Sequence, residues 1–136
     1  MRHRKKGRKL GVNPSHRRAL LSNLAENLIL HKRIKTTESR AKELRRYIEP
    51  LVTKAKRGDL TSIRMIARKI RHKNILGTLL NDIAPVYKNR NGGYTRIIKL
   101  GFRDNDRASV ALIEFVGMEG SNDSELVTST EEKNSE

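Results

Sequence analysis

The chain reads as an α+β domain with a basic arm before it and an acidic tail after it. Three observations carry that expectation. Apolar residues recur at helical spacing through most of the stretch from residue 15 to 83. Two β-rich runs flank a polar turn between residues 94 and 116. Charge is sharply segregated along the sequence. A length of 136 residues fits one domain, divided as arm 1–13, domain 14–116 and tail 117–136.

Met1–Asn13 carries six basic residues, two glycines and few apolar side chains. It cannot offset the entropy of its own ordering without a partner, so it reads as an extended arm. It lacks the apolar core of a secretory signal and the amphipathic, Ser-rich character of a transit peptide, and a cytoplasmic address is expected. Pro14-Ser15 marks a helix start, with Ser15 as the cap. Leu20, Leu21, Leu24, Leu28 and Ile29 then recur at helical spacing to about His31.

Lys32–Thr36, with Ile34 between basic neighbours, fits a short strand. Thr36 or Thr37 would cap a second helix from about Glu38. Ala41, Leu44, Tyr47/Ile48, Leu51/Val52 and Ala55 keep the helical period, and Gly58 suits the left-handed position that ends it. Pro50 lies inside this run and is expected to kink the helix or divide it. Glu38/Lys42 and Arg45/Glu49 are spaced to pair along one face.

Asp59 is placed to cap a third helix bearing Ile63, Ile66, Ala67 and Ile70, with Arg64, Arg68, Lys69 and Arg71 on its wet side. A fourth helix starts near Asn74, carries Ile75, Leu76, Leu79, Leu80 and Ile83, and ends at Pro85. Asn89–Gly93 is a loop by composition. Tyr94–Leu100 and Ser109–Val116 form an antiparallel hairpin across the turn Gly101–Ala108. A hairpin alone is unstable, so it must pack on the helices, with the Ile34 segment available as a third strand. Leu20, Leu24, Leu28, Leu44, Ile48, Ile63, Ile66, Leu79, Ile97 and Leu112 are the expected core. The tail is rich in Ser, Thr, Asn and Glu and reads as disordered.

The charge narrows the function. The chain has 30 Lys+Arg against 15 Asp+Glu, a net charge of +15. Residues 1–18 hold eight basic side chains and no acidic one. Residues 118–136 hold six acidic side chains and one basic, which leaves +20 on residues 1–117. Such a surface repels itself unless a polyanion neutralises it, and nucleic acid does so through counterion release at phosphates. The absence of Cys excludes disulfides and thiol chemistry. His3, His16, His31 and His72 have no metal-ligand spacing, so no metal or other cofactor is expected. Asp104-Asn105-Asp106 fails as a calcium loop, because the twelfth position is Phe115. Asn91-Gly92-Gly93 is not followed by the Lys-Ser/Thr of a P-loop. No acid–base or nucleophilic constellation is present, so catalysis is not expected. With 4% aromatics and no Trp, a stacking platform for single strands is disfavoured. The arm also lacks the Trp/Phe/Leu face of an interfacial membrane helix.

Several blocks occur together in order: Met1-Arg2-His3-Arg4-Lys5, Ser15-His16-Arg17, Ile34-Lys35-Thr36-Thr37, Ala41–Arg46, Glu49-Pro50-Leu51, Gly92–Ile97 and Gly101-Phe102-Arg103. Through them, residues 1–116 resemble the bacterial large-subunit ribosomal protein family number seventeen. The resemblance implies helices packed on a small mixed sheet, an arm threaded into large-subunit (23S-type) rRNA, no enzymatic activity, and ribosomal protein number thirty-two as a neighbour. The acidic tail departs from the family's compact end.

The reading is therefore a structural rRNA-binding protein of the large subunit. Charge and motif together nominate Arg2, His3, Arg4, Lys5, Lys6, Arg8 and Lys9 in the arm. They add His16, Arg17 and Arg18 in the first helix, then Lys35, Thr36, Lys42, Arg45 and Arg46, and finally Arg90, Gly92, Gly93, Tyr94, Thr95, Arg96 and Arg103 around the hairpin. A free-standing DNA-compacting or regulatory module is the rival from another class. It would place its base readers on one helix, whereas here the charge is spread over arm, helices and hairpin.

Overall fold

The structure is a computed structural model that describes residues 7–118. Arg2, His3, Arg4, Lys5 and Lys6 lie outside the described residues, as does the acidic tail from 119 to 136. The order of elements is α1 (Pro14–His31), β1 (Arg33–Thr37), α2 (Glu38–Arg57), α3 (Leu60–Ala67), α4 (Lys73–Thr78), β2 (Thr95–Phe102) and β3 (Ser109–Phe115). This is the expected α+β architecture.

The strands form one sheet in the order β1-β3-β2, antiparallel throughout. The expected mixed character is corrected: the Ile34 segment does join as the third strand, but it runs antiparallel to β3. The register aligns Ile34, Ile113 and Ile97 in one cross-strand row and Arg33, Glu114 and Arg96 in the next. Side chains alternate between faces, so Ala111, Ile113 and Phe115 point into the core. Leu112 points to the opposite face and is half-buried, not core. A bulge between Lys99 and Gly101 lets β2 continue to Phe102. Gly101 supports it with φ +95, a backbone state costly for any residue with a Cβ. The expected turn therefore shortens to Arg103–Ala108.

Helix α1 is capped by Asn13, whose Oδ1 accepts the His16 N–H at 2.8 Å; Ser15, the expected cap, already lies inside the helix. Its C-terminal half enters the core through Ala25, Leu28 and Ile29, while Leu20 and Leu24 are only half-buried. Helix α2 is the centre of the molecule, burying Ala41, Leu44, Ile48, Leu51, Val52 and Ala55 against α1, α3 and the sheet. It runs unbroken through Pro50, so the expected division does not occur. Pro50 removes one N–H from the ladder and is itself exposed, where water can satisfy the freed carbonyl. Gly58 ends the helix at φ +69, as expected.

Asp59 stands at the N-cap of α3 and its Oδ1 accepts from the Ser62 hydroxyl at 2.5 Å. Ile66 and Ile70 are buried; Ile63 is half-buried. Pro85 does not end the last helical stretch. After α4 the chain takes a wide turn over Leu79–Ile83 and then one tight turn, Ala84–Tyr87, in which Pro85 occupies an early position that needs no N–H. That turn delivers Tyr87 into the core, where its hydroxyl donates to the Val116 carbonyl at 2.5 Å. Burial pushes the Tyr87 phenol up to about 12.

Candidate nucleic-acid interface

The site is built around the two flanks and the N-terminal end of α2. At that end, the buried Glu43 carboxylate accepts the Arg8 N–H at 3.2 Å and the Arg8 guanidinium at 3.4 Å. Arg46 reaches the same carboxylate at 3.5 Å. A Cβ on Gly7, at φ +120, would lie 3.2 Å from Glu43 Oε1. Arg17 donates to the carbonyls of Lys9 at 3.1 Å and Val12 at 3.2 Å. Residues 8–13 are thus stapled to the domain, and the arm departs from a defined point. Arg8 and Arg17 use part of their donor capacity on this root, whereas Lys9 and His16 are exposed.

Along one flank of α2, Arg45, Arg46, Glu49 and Pro50 form a shallow groove with Gly93 and Thr95. Residues half the domain apart in sequence meet here because Glu49 clamps the start of the hairpin. Its carboxylate accepts the Tyr94 N–H at 3.2 Å, the Thr95 N–H at 3.1 Å and the Thr95 hydroxyl at 2.9 Å. Gly92 at φ +153 and Gly93 at φ +60 turn the chain into this clamp, backbone states suited to glycine. Tyr94 and Thr95, nominated as contact residues, are instead buried. The Tyr94 ring stands against Tyr87 at 5.2 Å, and its hydroxyl meets Lys56 at 3.1 Å and Thr53 at 3.3 Å. Lys56 also donates to the Arg90 carbonyl, which holds the loop while the Arg90 side chain stays exposed.

A second groove lies between β1 and the far end of the hairpin. It is lined by the nominated Lys35, Thr36 and Arg103, together with Arg40, Leu100 and the exposed Phe102. Arg103 grips Asp106 through two bonds, at 2.9 and 2.6 Å. Hydrogen bonding to Arg103 holds the Asp106 carboxyl at about 2 and raises the Arg103 guanidinium. Lys42 pairs with Glu38 at 2.9 Å, the spacing read in the sequence. In the sheet, the buried Glu114 carboxylate sits between Arg33, at 3.4 Å, and Arg96. That triad keeps one net positive charge.

Charge reading alone missed the two carboxylates that organise this surface, Glu43 and Glu49. Acidic residues in a basic chain look like dilution until their partners are seen. Arg68, Lys69 and Arg71 are exposed, as the wet side read for them requires, and they line a third groove with Arg18. Among the described residues no group of three His, Asp or Glu could hold a metal ion, and no helix is long and apolar enough to cross a membrane.

Residues 20–116 match the family described as Ribosomal protein L17. The chain belongs to the L17 family of ribosomal proteins. It is 55% identical over 116 residues to the large ribosomal subunit protein bL17 of Rickettsia canadensis (strain McKiel), 85% of each chain. It is 53% identical to the protein of that name in Rickettsia typhi (strain ATCC VR-144 / Wilmington), again over 85% of each. With that of Rickettsia bellii (strain OSU 85-389) it shares 54%, over 85% of this chain and 82% of the relative. As a member of the L17 family it is a structural constituent of the bacterial large ribosomal subunit, ribosome-bound in the cytoplasm, and not an enzyme. Its partners are ribosomal RNA and other ribosomal proteins.

Proposed function

We propose that this L17-family chain stabilises folded large-subunit rRNA through its basic arm and through the basic surface of α2 and the hairpin. The observation that carries the proposal is the convergence of Arg45 and Arg46 with the Gly92-Gly93 turn, held in register by Glu49. Cations beside an open glycine backbone suit close approach of a phosphodiester chain. The arm, with Arg2, His3, Arg4, Lys5 and Lys6 beyond its stapled root, suits the densely packed phosphates of folded RNA. Charge neutralisation supplies the affinity. Ribosomal protein number thirty-two is the neighbour this reading expects, on the family resemblance; lysine cross-linking on intact subunits tests that neighbour.

Sedimentation of a lysate through sucrose, first at low salt and then at roughly 0.5–1 M, tests the main proposal, since such salt screens exposed charges within a few ångströms. Retention at near-stoichiometric amounts with the large subunit is the expected result. Release into the light fractions would show a salt-labile, peripheral attachment and overturn the proposal that the arm and the surface of α2 and the hairpin stabilise folded rRNA.

A further inference from the structure

A groove of about 600 Å³ lies where α1, α2 and the connection after α3 meet. It is lined by Arg18 from α1, Tyr47 from α2, and Arg68, Lys69 and Arg71 from the connection between α3 and α4. It shares no lining residue with the groove beside the Gly92-Gly93 turn.

Two features show that the basic connection is held in place. Ile70 is buried and anchors the connection from below. From α1, one turn apart, Ser22 and Glu26 pin it from the side, both buried. The Ser22 hydroxyl donates to the Lys69 carbonyl at 2.6 Å. Glu26 accepts the Arg71 N–H at 3.1 Å and faces the His72 ring at 3.0 Å. The Glu26 carboxylate is thus engaged by backbone and imidazole. Among the described residues, Arg18, Arg68 and Arg71 have no carboxylate partner within ion-pair distance. Lys69 lies over the Tyr47 ring at 5.0 Å.

Four cations gathered from two elements around one groove repel each other in the free protein. Buried polar contacts that hold them there work against that repulsion and leave the positions prepared for an anion. We propose that this groove is a second site for the RNA sugar–phosphate backbone, so that the domain grips rRNA on a second surface besides the one at the hairpin. The inference rests on the rRNA-binding reading above and adds to it a surface with its own residues. Arg18, Arg68 and Arg71 bind the phosphates. Lys69, stacked on Tyr47, positions the floor of the groove.

The test uses the full chain assembled into large subunits. Because the chain has no Cys, Ala19→Cys offers a single attachment point for an iron chelate on the rim of the groove. Asn91→Cys places the same probe beside the Gly92-Gly93 turn. Radical cleavage of rRNA from both positions is expected. In parallel, the double variant Arg68→Ala/Arg71→Ala and the double variant Arg45→Ala/Arg46→Ala are compared for binding to large-subunit rRNA as salt is varied. For every phosphate that a variant no longer neutralises, the affinity gained between 1 M and 0.1 M salt should shrink roughly five- to eightfold. Cleavage from residue 91 but not from residue 19, with a normal salt slope for Arg68→Ala/Arg71→Ala, would overturn the second site and leave the first reading intact. Normal slopes for both double variants and no cleavage from either probe would overturn the rRNA-binding reading itself. Circular dichroism of each variant separates weakened RNA binding from a failure to fold.

Discussion

Glu49 offers the sharpest test of how the interface is built, because Coulombic and structural arguments predict opposite signs. Its carboxylate accepts three hydrogen bonds at the start of the hairpin, two of them from backbone N–H groups of the buried residues Tyr94 and Thr95. Hydrogen bonds to a charged group contribute about 1.5–3 kcal/mol each, and an orphaned buried donor costs about 1–3 kcal/mol. Glu49 is half-buried, so water replaces part of what the substitution removes. Glu49→Ala should then destabilise the domain by about 2–4 kcal/mol, read as a lower urea midpoint at constant m-value. For a domain of this size that corresponds to a fall in Tm of roughly 10–25 °C. Glu49→Gln keeps the shape but turns an amide NH₂ toward one N–H donor, and should cost about 1–2 kcal/mol. Removing a negative charge beside Arg45 and Arg46 would by itself tighten RNA binding. If Glu49 acts by holding the Gly93 turn, Glu49→Gln binds rRNA more weakly instead. Tighter binding by Glu49→Gln, or a stability loss below about 0.5 kcal/mol for Glu49→Ala, would refute the clamp.

Asn13→Ala removes the side-chain cap of α1 and should cost about 1 kcal/mol, measured by urea unfolding. Tyr87→Phe leaves the Val116 carbonyl without its donor and should cost about 1–3 kcal/mol. In the native chain the Tyr87 phenol is raised from 10 to about 12. A raised acid favours the neutral form, so its contribution is full below pH 10 and is lost as pH rises toward 12. Thermal unfolding across that window should show a smaller loss in Tyr87→Phe than in the wild type, the remainder coming from Tyr47, which burial also raises. Deleting residues 2–6 removes four Lys/Arg side chains and none of the stapled root. RNA affinity and its salt slope should fall while the unfolding free energy from urea titration stays within about 0.5 kcal/mol of the full chain; an unfolded product would show that the arm belongs to the core. Deleting 119–136 should leave incorporation into the subunit intact, measured by sedimentation.

Most of the local structure is legible in the residues alone. The helical period of Ala41, Leu44, Ile48, Leu51 and Ala55 defines α2, because a helix that buries one stripe must repeat apolar residues every three to four positions. Gly58 and the loop Asn89–Gly93 are equally readable, since backbone geometry there admits few residue types. The family is readable too, from blocks such as Gly92–Ile97 occurring in order. The sequence misleads where a local rule competes with packing. Pro50 reads as a kink or a division, and α2 is not divided because its apolar stripe on both sides of the proline is held by the same core. Ser15 reads as a cap, yet Asn13 takes that place with Pro14 already inside the helix.

What the sequence determined by itself is the class of partner and the identity of the elements. Net charge and its segregation are sums over residues and do not depend on the fold. Periodicity depends only on neighbours within two turns. The pairing of strands, the burial of Tyr94 and the grouping of cations into grooves depend on contacts between residues far apart in the chain. Glu49 meeting Thr95, Glu43 meeting Arg8 and Ser22 meeting Lys69 are such contacts. Only packing brings those partners together, and a polar side chain reads identically in the sequence whether it faces water or holds a distant loop in place.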